Sequence, residues 1–355
     1  MVQPPPYHSH TLPALLALLM VAAGITPTAD AADSCLVERG QILIANTATA
    51  AISGRLVTSL QRGGWDTRPT IRLARIAPSG LVEAGRWEAT WSVGDVHVAA
   101  DTVIVAADFG LVSLDVSDPL HPVVVDRAAL FDSDRLAVDG GIAYVASDGS
   151  LGDGWFDVVD VSDPSDLQPR GSIHWPSPDP YSGKTGIDAR HGVVVVSCAA
   201  GVVVLDAGDP WQPTVRGVRQ RDGAHDVAMV SGLAAVAVAS PVDPADVGVE
   251  ILDLSNPSQP NPVGFWPAPS AVLTVAGFGG DVVAGTESHG LYLIDITDPA
   301  HPIEIDHWQG SGAPVDRIAT AWPSVAVAGA ESGTIVLGLD PTCQPPRRPS
   351  GRVDY

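Results

Sequence analysis

Residues Gly290–Pro302 read GLYLIDITDPAHP, an apolar run closed by Asp-x-Thr-Asp-Pro. The same phrase returns as GLVSLDVSDP at Gly110–Pro119, WFDVVDVSDP at Trp155–Pro164, GVVVLDAGDP at Gly201–Pro210 and GVEILDLSNP at Gly248–Pro257. Its first aspartate falls at Asp115, Asp160, Asp206, Asp253 and Asp295, in steps of 45, 46, 47 and 42 residues. That period suits a four-stranded propeller blade. A degraded copy, Leu73–Pro78, precedes the series, and Thr334–Pro341 follows it.

A second pattern lies between the phrases: a short apolar strand, a tight turn, and another strand ending in Val-Ala. Examples are Asp134–Ala146, Asp226–Ala237 and Arg317–Ala328. Strands A and B form this hairpin, the phrase is C, and the residues after Asp-Pro (Val123–Ala128, Ile303–His307) are D. Cys35–Ala45, CLVERGQILIA, fits the hairpin frame, which places the start of a unit there and predicts seven units. The last lacks its D strand, because a Pro- and Arg-rich tail follows. The expected fold is all-β, a seven-bladed propeller of antiparallel blades, with six blades the alternative. Valine, isoleucine and alanine on both strand faces suit blades packed between blades, and ring closure leaves only short edges.

The phrase, present as LVSLD, FDVVD, VVVLD, VEILD and LYLID, resembles the LVIVD-repeat family from about Gly110 to Pro302. The resemblance implies an exported or cell-surface bacterial or archaeal propeller and assigns no chemistry.

The 355 residues carry a formal charge of −22, which disfavours nucleic acid and anionic lipid as partners. The apolar run Leu12–Ile25 is short for a membrane span and is followed by Ala29-Asp30-Ala31, a small-x-small cleavage signal. Residues 1–31 therefore read as a signal peptide, 32–341 as one propeller domain and 342–355 as a tail. The expected location is secreted, periplasmic or cell-surface, with no transmembrane segment in the mature chain. Export permits disulfides. Cys35 and Cys343 flank the repeats, so a bond between them would tie the ring, while Cys198 lies in an apolar strand.

The repeated aspartates Asp115, Asp160, Asp206, Asp253 and Asp295 read as turn residues, since Asp and Ser accept backbone N–H groups and proline fixes φ. A–B and C–D turns share one side of a propeller disc and are short here. The long connections, Asn46–Pro69, Ser147–Gly154, Pro176–Lys184, Ser240–Val247 and Gln309–Pro314, are all B–C or D–A, on the other side. Irregular loops on a rigid scaffold concentrate binding.

At the start of strand A, facing the channel mouth, the units align Asp33, Gly94, Asp134, Thr185, His225, Val272 and Asp316. The next position gives Asp95, Arg135, Gly186, Asp226, Leu273 and Arg317. Asp95, Asp134, His225, Asp226 and Asp316 are the candidates for a ligand or a cation, with calcium or another divalent ion the conceivable cofactor. Against this, Arg135 and Arg317 offer the acids local partners. Ser147–Gly154 loosely resembles a calcium loop but lacks its closing Glu. Trp65, Trp155, Trp175 and Trp266 lie beside the variable loops, where they stack on a sugar or peptide or cap the core. No nucleophile elbow, His-Glu-x-x-His or phosphate loop occurs. The expectation is a monomeric binding or surface-interaction module without catalysis, taking a protein or glycan at its loop face. The alternative is a lactonase- or glycosidase-like metal-assisted hydrolase at the mouth.

Overall fold

The computed structural model describes residues 35–43, 46–63, 67–148, 154–175, 183, 186–198, 201–240, 243, 245–329 and 333–339. They form seven four-stranded antiparallel sheets in a ring, a seven-bladed propeller. Each interface between neighbouring blades holds its own buried cluster, seven in all, which is what closure requires. Largely aliphatic strands of five to nine residues build them.

The register of the N-terminus differs from the sequence expectation. Cys35–Ala45 is no hairpin: Leu36–Ile42 is a single strand that pairs with Gly333–Leu339 and supplies the missing D strand of blade 7. Blade 1 starts at Thr47 instead. The supposed insertion Asn46–Pro69 contains its A and B strands, Thr47–Ser53 and Leu56–Gln61, and only residues 62–69 form the B–C loop. Blade 7 is thus sealed by both ends of the ring, and its seam with blade 1 is mostly alanine (Ala50, Ala74, Ala326, Ala328). Cys35 is disulfide-bonded, and Cys198 is a buried thiol outside any disulfide. Cys343 lies outside the described residues.

All seven A–B turns have two residues between strands. In six of them the first turn residue is left-handed, with φ from 49° at Ala100 to 60° at Gly279. In four of these, residues 140–141, 191–192, 231–232 and 279–280, the second residue is left-handed as well, the type I′ geometry that matches strand twist. The five Asp-Pro connections have seven residues each. In each, the first aspartate accepts an N–H two residues on, as Ser117 N–H gives to Asp115 Oδ1 at 2.8 Å and Thr297 N–H to Asp295 Oδ1 at 2.8 Å. Asp160, Asp206 and Asp253 do the same for Ser162, Gly208 and Ser255.

The turn also locks blades together. Eleven residues after each phrase aspartate, at a bulge in strand D, stands Asp126, Gly171, Gly217, Gly264 or Asp306. A Cβ at Gly264 would run into the Pro299 carbonyl of the next blade's turn. Where aspartate replaces glycine, it grips the next blade directly: Asp126 Oδ2 accepts Leu167 N–H at 2.7 Å and Asp306 Oδ2 accepts Leu36 N–H at 2.8 Å.

Candidate functional site: the channel and its mouth

The seven A strands line the channel. Aligned on their partners in strand B, the first inward tier is Thr49, Asp95, Arg135, Gly186, Asp226, Thr274 and Arg317. This corrects the sequence alignment, which put Leu273 in blade 6. Asp33 and Thr185 lie outside the described residues. In blades 1, 2, 5 and 6 a β-bulge adds one residue at Ala48, Gly94, His225 or Leu273, so counting slips by one. Three of those extra residues, Ala48, His225 and Leu273, line a cavity of about 520 Å³ at the mouth with Arg62, Arg135, Asp316 and Arg317.

Arg317 lines both that cavity and a second one of about 270 Å³ deeper in the channel. Its guanidinium lies 3.1 Å from Asp226 Oδ1 and 3.7 Å from Asp95 Oδ2. Thr274 Oγ1 donates to Asp226 at 2.7 Å and Thr49 Oγ1 to Asp95 at 3.1 Å. Val275 N–H and Leu136 N–H also point at these two carboxylates. Two of the predicted site residues are therefore brought together, around an arginine. Burial, and then the neighbouring Arg317 charge, lower the pKa of Arg135.

The remaining candidates are placed apart from this pair. Asp134 Oδ2 accepts Asp148 N–H at 2.9 Å, and His225 and Asp316 face the mouth cavity. Among the described residues no group of three His, Cys, Asp or Glu is placed to hold a metal ion. Most of the calcium-like loop Ser147–Gly154, and Trp65, lie outside the described residues. Trp155 stacks on His174 with ring centres 4.0 Å apart, and Trp266 is buried against Tyr292 at 5.0 Å.

One tier deeper the sequence reading missed His97 and Asp188. Both lie two residues along from a first-tier position, so the two-residue strand period was signal enough. Asp188 takes Ala189 N–H and Met229 N–H, each at 2.7 Å. Burial nevertheless pushes its carboxyl up to about 6, against the pull of those donors. Burial likewise lowers His97, with Asp95 opposing.

The chain carries LVIVD repeats, matched at residues 92–129, 132–173, 245–265 and 284–309. No curated protein matches it in sequence. Among solved structures it is similar to the WD40 domain of Pan2 from Neurospora crassa, at 15% identity and TM-score 0.64 over 88% of this chain and 98% of that one. A chain of the Mitotic Checkpoint Complex aligns at 12% identity and TM-score 0.62, over 89% and 97%. BamB from Moraxella catarrhalis aligns at 11% and 0.54, over 90% and 94%. Identities this low speak for the fold alone. Among the described residues no helix is long and apolar enough to cross a membrane.

Proposed function

We propose that this protein is an exported interaction module that holds a protein partner against the face carrying its B–C and D–A connections. One observation carries the reading. All seven A–B turns have two residues and five of the C–D turns have seven, whereas the connections of the opposite face range from two residues (108–109) to ten (176–185). Blade packing fixes the first set and leaves the second free, so the variation sits where a partner would be read. The channel chemistry is consistent with support of this face: Asp95 and Asp226 are occupied by Arg317 and by backbone donors. Export rests on the Leu12–Ala31 leader, and N-terminal sequencing of the cell-envelope or secreted protein should find a chain starting near Ala32.

The contact face is tested by placing a photo-crosslinking amino acid at Phe109 or Gly312 on one face and at Leu120 or Ser162 on the other, in the producing cell. Discrete adducts from the first pair alone are expected. Adducts formed only from Leu120 and Ser162 would refute the assignment.

A further inference from the structure

The chain has only five phenylalanines, yet two of them, Phe109 and Phe131, are 67% and 55% exposed. Both lie on the variable face: Phe109 in the B–C connection of blade 2, Phe131 in the D–A connection that follows. Leu130 N–H donates to the Phe109 carbonyl at 3.2 Å, which ties the two connections together. Phe131 stacks on Trp155 with centres 5.3 Å apart, and Trp155 rests on His174 of the same blade. The aromatic surface is therefore backed by a blade and is not a loose loop tip.

Carboxylates surround it. Asp108, Asp134 and Asp148 all repel the charge on Asp132, adding to the effect of its burial in raising its pKa. Arg135 stands next to Asp134 and its guanidinium donates to the Asp134 carbonyl at 3.4 Å, whereas among the described residues no ion pair ties Asp108 or Asp132 to an arginine or lysine. Elsewhere the protein completes the same arrangement internally. On the opposite face Arg170 lies over the exposed Trp211 ring, 5.1 Å from its centre, while pairing with Asp160 at 2.8 Å. On blade 2 Arg127 is taken up by Trp91, 4.9 Å from its ring centre, and among the described residues no arginine lies over Phe109 or Phe131.

We propose that this rim is a docking surface for a basic segment of a partner protein, with an arginine or lysine side chain laid on Phe131 and Phe109 between the carboxylates. Ring quadrupole and carboxylates both attract such a group, and the overall charge of −22 draws it in. The proposal rests on the reading of this face as the contact surface and names the chemistry it selects.

The probe is a fluorescein-labelled hexalysine peptide, read by anisotropy, with hexaglutamate as the negative control. Phe131→Ala leaves net charge unchanged and should weaken binding about threefold, the size of an exposed cation–π contact. The double change Asp108→Asn/Asp132→Asn should weaken it about tenfold. Asp118→Asn/Asp163→Asn, which removes equal charge from the opposite face, should change it less than about twofold, because exposed charges act mainly within a Debye length. Melting temperatures show that each variant is folded. Equal losses from the two double variants, or none from Phe131→Ala, would leave only net charge at work and overturn the rim. A loss confined to Asp118→Asn/Asp163→Asn would overturn the contact face as well.

Discussion

On the Asp-Pro face, five connections repeat one seven-residue design, and every resolved shift among their aspartates is downward. Asp115, Asp118, Asp160, Asp163, Asp206 and Asp298 all titrate below the ordinary value, held by Ser, His or Arg donors and by backbone N–H groups. The variable face and the interior behind it show the reverse at Asp132, Asp157 and Asp188, raised first of all by burial. One face invests its acids in turn and blade locking. The other mixes carboxylates raised by burial with Asp246, which Arg221 holds below the ordinary value.

The sharpest way to break the contrast is at blade 7, where the chain ends leave no C–D turn. Leu36 pairs with Leu339, so Cys35, which is disulfide-bonded, sits where other blades have the Asp-Pro connection. Cys35→Ser should therefore cost the most, up to about 5 kcal/mol by loop-closure entropy. Denaturant unfolding of the variant and non-reducing mass mapping of the parent, where a Cys35–Cys343 peptide is expected, check this. Free thiols at both positions would end the idea.

A second test uses the opposite titration signs. Asp188 and Asp157 both titrate near 6 in the folded chain, above the unfolded carboxylate value. The folded state then binds more protons between about pH 4 and 6, so stability falls as pH rises through that window. Asp160, held at about 2 by Arg170 and Ser162, acts the other way and loses its contribution as pH falls from about 4 towards 2. Stability should peak near pH 4–5. For Asp188 the swing is about 2 kcal/mol, the two-unit shift discounted for channel water. Asp188→Asn should flatten the pH 4–6 slope in urea titrations, and an unchanged slope would sink the assignment.

The repeat made the Asp-Pro face legible in sequence because its chemistry is local: Asp295 and Thr297 are two residues apart, and so are their counterparts. What escaped was non-local. Nothing in CLVERGQILIA says that its strand pairs with Gly333–Leu339, since that pairing depends on the ring closing. The channel tier slipped at Leu273, where Thr274 is the inward residue, because a bulge changes the count without changing the apolar pattern. The glycine or aspartate eleven residues past each phrase was readable as a spacing, but its reason, a proline carbonyl from the next blade, is tertiary. Within that same local chemistry, Asp295→Ala should lower stability by about 1–2 kcal/mol. Asp295 is buried and the Thr297 N–H loses its acceptor. Urea midpoints read the loss.

The smallest stability effect is expected where the functional effect is largest. Replacing residues 309–314, between Ile303–Trp308 and Arg317–Ala321, by a short Gly-containing turn removes an exposed connection and leaves both strands intact. Closure entropy varies slowly with length, so the change in stability should stay within about 0.5 kcal/mol. Shortening 240–246 in the same way asks more, because Asp246 there pairs with Arg221 at 2.6 Å and that bond is lost. The 309–314 variant should keep the urea midpoint near that of the parent and the 240–246 variant should fall below it, while both weaken a crosslinked partner. Asp295→Ala should do the opposite, lowering the midpoint and sparing affinity at a temperature where it is folded. If affinity follows Asp295 and ignores both loops, the partner reads the Asp-Pro face, and the uniformity of its turns would then be a binding surface repeated around the ring.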